Sequence, residues 1–133
     1  MWSSLGKYRE GALLFLRVAL GAFFIYAHGW SKLAGGVREW KRLGGAMRHV
    51  GITFAPEFWG FLAAFSESIG AALIVIGFCF RPACLLLLIT MTIASVSVAN
   101  GGDLAKAAHP IEMAIVFFSL LFIGPGKYSV DKS

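Results

Sequence analysis

Four long apolar stretches divide the chain, and each holds few polar positions. A bilayer-spanning helix needs about 20 mostly apolar residues. The stretches from Gly11 to about Trp30, Pro56 to about Phe78, Pro82 to about Ala99 and Ala107 to about Ile123 are read as such spans. Pro56, Pro82 and Pro110 fall in or near the first turn of their helices, where a missing N–H is tolerated. Gly124-Pro125-Gly126 stops the fourth helix. The segment Val37–Val50 has another rhythm. Val37, Trp40, Leu43, Met47 and Val50 recur at helical spacing, with Arg38, Lys41, Arg42 and Arg48 on the other side. That pattern predicts an amphipathic helix lying in the membrane interface, weakened at Gly44-Gly45; a plain basic loop is the alternative. Short connections after the second and third spans predict antiparallel neighbours. The expected fold is therefore an all-α membrane protein, a four-transmembrane-helix up-down bundle with an interfacial amphipathic segment between helices 1 and 2, forming one domain over residues 1–133. Gly60, Ala64, Ser68 and Ala72, recurring every fourth position, allow close helix packing, as do Ser95 and Ala99.

Composition agrees. Hydrophobic residues make up 58% and charged residues 14%, against about 45–50% and about 25% in soluble domains; mean hydropathy is +0.75. A water-soluble globule of 133 residues could not hide that much apolar surface, and the same arithmetic excludes disorder. The net charge of +5 sits in short segments between the apolar runs, which points to a lipid bilayer and not to nucleic acid. An even number of spans puts both termini on one side. Lys7, Arg9, Arg81, Lys127 and Lys132 lie on that side, and Lys32, Arg38, Lys41, Arg42, Arg48 and Lys106 on the other. This near-balance does not decide orientation; termini in the cytoplasm are the working expectation. Arg17 interrupts the first apolar run and no small-x-small cleavage site follows, so that run reads as a retained helix.

Ionisable residues inside spans carry the candidate chemistry, because a charge in hydrocarbon costs about 2.5–3.5 kcal/mol even on lenient scales. Arg17, Glu67 and Glu112 lie within the spans, and His28 and His109 near span ends. Arg17 sits roughly 9 Å and Glu67 roughly 16 Å into their helices, an offset that an arginine stem can bridge. The expected contact is an Arg17–Glu67 pair, which would serve either chemistry or helix register. Glu112 and His109 share one helical face, as do Arg17 and His28, giving an expected interior track Arg17, Glu67, Glu112, His109, His28. One carboxylate then lacks a strong cation and is suited to proton exchange. The lone His109-x-x-Glu112 is reversed from di-iron motifs, and no metal site is predicted. Cys79 and Cys84, a C-x4-C pair around Arg81, read as small buried hydrophobes more than as a redox pair. There is no Walker loop, GxGxxG fingerprint or nucleophile elbow.

The strings Leu16-Arg17-Val18-Ala19-Leu20-Gly21 and His28-Gly29-Trp30-Ser31-Lys32-Leu33 resemble the first-helix signature of the DoxX family. Glu67, Gly70, Gly77 and Arg81 resemble its second helix and turn; Glu112 and the ending Gly124-Pro125-Gly126-Lys127-Tyr128-Ser129-Val130-Asp131 resemble its fourth helix and tail. The resemblance implies a four-helix, multi-pass protein of the bacterial or archaeal cytoplasmic membrane. It also implies a role in a quinone-linked or thiol- and sulfur-linked oxidoreductase system, with redox partner proteins. Relatives that act as assembly factors make a non-catalytic scaffold the alternative. A small-molecule transporter subunit, which would need a homo-oligomer, is the second alternative. No haem, flavin or iron–sulfur site is evident, so a redox role calls for a partner or a bound quinone. In the expected mechanism Arg17, Glu67 and Glu112 are the catalytic residues. His28 and His109 gate access to the site, and Tyr26, Trp30 and Trp59 either stack on a ring or anchor the interface.

Overall fold

The computed structural model describes residues 2–100, 102 and 104–131; Lys132, read above as a flanking charge, lies outside the described residues. Among the described residues every regular element is helical. In chain order these are α1 (Arg9–Phe24), α2 (Trp30–Ala34), α3 (Gly36–Gly44), α4 (Pro56–Phe65), α5 (Ala71–Ile76), α6 (Phe80–Asn100) and α7 (Ala108–Ile123). A π turn, Ile25–Gly29, joins α1 to α2, and a second, Ser66–Gly70, joins α4 to α5. Three continuous helices are long and apolar enough to cross a membrane: Ser4–Ala34, Pro56–Ile76 and Phe80–Asn100. The fourth apolar helix, α7, has 16 residues, or about 24 Å of rise. The first helix outruns its expected bounds at both ends because Ser4–Tyr8 and Ser31–Ala34 continue its winding.

α1 lies on α5, α6 packs against both α5 and α7, and α3 packs on α4. Phe24, Ile74, Phe80, Leu87, Phe117 and Leu120 are all buried and form the core where these helices meet. The outer surface is apolar as well, with Phe15, Phe23, Ile115, Phe118 and Phe122 exposed. That inversion of the soluble pattern fits a lipid bilayer.

The amphipathic stretch is helical but not continuous. α3 ends at Gly44, and Gly45–Val50 tightens into a 3-10 helix, the break that paired glycines favour. A side chain at Gly60 would collide with the backbone of Trp40, and one at Gly44 with that of Pro56, so α3 lies nearly backbone-to-backbone on α4. The Trp40 and Phe61 rings meet edge to face at 4.9 Å, and the Trp40 indole N–H donates to the Lys32 carbonyl at 3.2 Å. Its charged face carries an Arg42–Glu39 ion pair. The Arg42 hydrogen bond holds the Glu39 carboxyl below its ordinary range, and Glu39 in turn raises Arg42.

Candidate functional site

Arg17 is buried to 1% exposure, but not against Glu67. Its Nε donates to the Ile74 carbonyl at 3.1 Å and Nη2 to that of Val75 at 2.9 Å. Its Nη1 donates to the carbonyls of Pro125 at 3.0 Å and Tyr128 at 2.7 Å. The guanidinium thus caps the C-terminal end of α5, where orphan carbonyls and the helix dipole favour a cation, and ties down the tail. Gly77 beside it is left-handed, φ 74°, and a Cβ there would strike Ser129 and the guanidinium. The tail continues the clasp: the Asp131 carboxylate accepts from the N–H groups of Cys79 at 3.1 Å and Phe80 at 2.8 Å, capping α6 from 51 residues away. Glu10 accepts from the Lys127 N–H at 2.6 Å. The expected Arg17–Glu67 pair is therefore replaced by a carbonyl clamp: the guanidinium gives four N–H groups to backbone carbonyls, and Glu67 goes to another cation.

Glu67 pairs instead with Lys32, Nζ to Oε2 at 2.6 Å. The two π turns make this meeting. They pack on one another, and a Cβ on Gly29 would collide with the backbone of Glu67, so only glycine allows the approach. π turns recur at functional sites because they displace a side chain from the regular helical register. Here they carry His28 and Glu67. Lys32 sits one turn beyond His28, and its stem reaches back into the bundle. Glu67 is 2% exposed, while Lys32 keeps an open side.

That open side faces a cleft of about 480 Å³ between α4 and α6, roofed by α3 and the 3-10 turn. Leu62, Leu86, Ile89, Ile93 and Val98 give it apolar walls; Lys32, Glu67, Arg42 and Trp59 supply polar groups. Ser66 and Thr90, also on the wall, turn their hydroxyls back to the carbonyls of Leu62 and Leu86, both at 2.8 Å. An ammonium has three donors, and Glu67 takes one of those on Lys32. An apolar cleft with one convergent polar pole is the usual form of a small-molecule site.

The remaining candidates divide. His28 and His109 do meet, rings stacked at 4.9 Å, with Phe24 bridging His28 at 5.1 Å to Phe117 at 5.7 Å. His109 is within electrostatic reach of Glu67. Glu112 is exposed on α7, outside the expected interior track. The buried stripe of that helix runs through Pro110, Phe117 and Leu120, and Glu112 is rotated off it. Tyr26 at 84% and Trp30 at 64% exposure are on the outer surface, not in the cleft. Trp59 does line the cleft; its buried Nε1 has no hydrogen-bond partner. Sequence reasoning missed Lys32 as the partner of Glu67, and Asp131 as a cap. The signal for Lys32 was its place at i+4 from His28. Cys84 is buried in α6 and Cys79 is exposed, both as free thiols. Among the described residues no three His, Cys, Asp or Glu side chains gather as a metal site.

A family model described as DoxX matches residues 12–100. No curated protein and no solved structure gives a significant match. The matched stretch contains Arg17, His28, Lys32 and Glu67 and every residue lining the cleft; α7 and the tail follow it.

Proposed function

The chain belongs to the DoxX family, and from that premise we propose that it is the quinone-handling member of a thiol- or sulfur-linked membrane oxidoreductase system. The observation that carries this reading is the Lys32–Glu67 pair at the wall of a mostly apolar cleft. A flat ring bearing carbonyl oxygens fits there: the ring lies against Leu62, Ile89 and Ile93, and one oxygen accepts from Lys32. A dione that takes two electrons and two protons becomes a diol. The electrons come from a donor on a partner protein, where two thiols join as a disulfide or two thiosulfate anions couple. Glu67 holds or passes a proton at Oε2 next to the Lys32 ammonium, and its burial keeps that exchange out of bulk water. The His28–His109 stack continues the polar groups toward the surface and is the proton entry. Arg17 serves structure in this reading, and Glu112, Tyr26 and Trp30 face lipid or a partner.

In the same reading α7 is the fourth span, so the molecule is one four-span unit. The tail, which lies against Glu10 and Arg17, keeps both termini on one side, the cytoplasmic side of the cell membrane. α3 rides in the opposite interface. Its charged face and its docking on α4 support that position. The test is dione reduction in membranes where the chain meets its native partners, with a thiol or thiosulfate donor. Glu67→Gln lowers the rate about 10²-fold, the scale of acid–base assistance. Equal rates for wild type and Glu67→Gln remove the role.

A further inference from the structure

The ion pairs of the cleft say which molecules it admits. Three lining residues are ionisable: Lys32, Arg42 and Glu67. Each cation among them already holds a carboxylate, Lys32 that of Glu67 and Arg42 that of Glu39. The polar pole therefore offers hydrogen-bond donors without net positive charge. A second anion placed at Lys32 would share one ammonium with Glu67, inside walls too apolar to screen the repulsion. A neutral carbonyl oxygen meets no such penalty and satisfies a spare donor.

We propose that the cleft between α4 and α6 selects uncharged, lipophilic ring compounds with accepting oxygens and rejects anions, with Glu67 as the residue that sets the selectivity. This rests on the redox reading for its place in the reaction sequence: the chain serves the uncharged electron acceptor, and the anionic donor is oxidised on the partner. Specificity here comes from the repulsive group as much as from the attractive one. The Lys32 ammonium alone would attract anions; the buried carboxylate beside it cancels that attraction.

The experiment uses the full chain in nanodiscs of uncharged phosphatidylcholine. Equilibrium binding, corrected for empty discs, is measured for three probes: 1-tetralone, 2-methyl-1,4-naphthoquinone and 2-naphthoate. The first two are neutral and the third is an anion of similar size. Wild type binds both neutral probes competitively and 2-naphthoate at least about 10-fold more weakly, as a like charge beside Glu67 requires. Glu67→Gln, its fold checked by helical circular dichroism, narrows or inverts the ratio of 1-tetralone to 2-naphthoate binding by about 10-fold. Equal binding of 1-tetralone and 2-naphthoate by wild type, or no binding of either neutral probe, overturns the proposal whatever the variant does. So does an unchanged ratio in Glu67→Gln. Neutral selectivity without dione reduction in native membranes leaves this inference standing and removes only the redox role.

Discussion

Two buried charged centres, Arg17 and the Lys32–Glu67 pair, do different work. At the tail end, Arg17 spends four donors on four backbone carbonyls and is shut in by the tail. At the α3 end, Lys32 gives one donor to a buried carboxylate and keeps an open side at a cavity. Both centres are costly to place in an apolar medium. The first gives four of its five N–H donors to its own backbone, so it fixes architecture. The second is left incomplete at a wall that a ligand can reach, so it can recognise. Burial of a charge alone does not separate the two roles; a spare donor at the wall of the cleft does.

The largest expected effect breaks the Arg17 centre. Arg17→Met leaves the carbonyls of Ile74, Val75, Pro125 and Tyr128 without their donor. It should cost about 3–5 kcal/mol of stability, because several buried carbonyls lose a charged donor together at about 1–3 kcal/mol each. Unfolding in mixed micelles reads this, and a loss below 1 kcal/mol would show that the tail clasp is dispensable. The molecules that stay folded should bind neutral probes normally. Glu67→Gln is the converse change: about a 10²-fold loss of dione reduction with a melting temperature close to wild type. A fall in stability as large as that of Arg17→Met would merge the two centres into one structural class. Asp131→Ala removes the remote cap of α6 and should cost about 1 kcal/mol, again without touching ligand binding.

The sequence predicts Arg17 as the partner of Glu67, and the structure gives that place to Lys32. The apolar stretches, the prolines in their first turns and the break at Gly44-Gly45 are local properties, and each is visible in the helices observed. The burial of Arg17 and Glu67 was legible for the same reason: both sit deep in apolar runs. Their partners were not. Arg17 is held by carbonyls 57 to 111 residues away, and a carbonyl has no sequence signature. Lys32 lies beyond the end of its apolar run, so it read as a flanking charge until the π turns brought it back over Glu67. For Glu112, spacing gave the depth but not the direction. Only the packing of Phe117 and Leu120 shows that its face of α7 points outward. The cleft depends on how α4 and α6 diverge beneath α3, and no single segment encodes that.

Smaller effects sharpen the contrast. Glu112→Gln and Tyr26→Phe change groups outside the cleft and should shift dione binding by less than about 0.5 kcal/mol, as surface changes do. A larger loss from Glu112→Gln would return the chemistry to α7. The smallest effect is a pH response at α3. Arg42 holds the Glu39 carboxyl below its ordinary 4.5. The stabilisation from that pair is therefore complete above about pH 4.5 and fades as pH falls through the lowered value. Hydrogen exchange of the α3 amides should be flat in protection from pH 5 to pH 7, and weaken only below that range.

In the proposed function the ligand sits beside Lys32 and Glu67, not among the residues clamped by the tail. The most direct measurement is a structure of the chain in lipid at saturating 2-methyl-1,4-naphthoquinone. Ring density is expected between α4 and α6, with one oxygen within hydrogen-bond distance of the Lys32 Nζ. An empty cleft at saturation, or a ring bound near Glu112 on the outer face of α7, would contradict it.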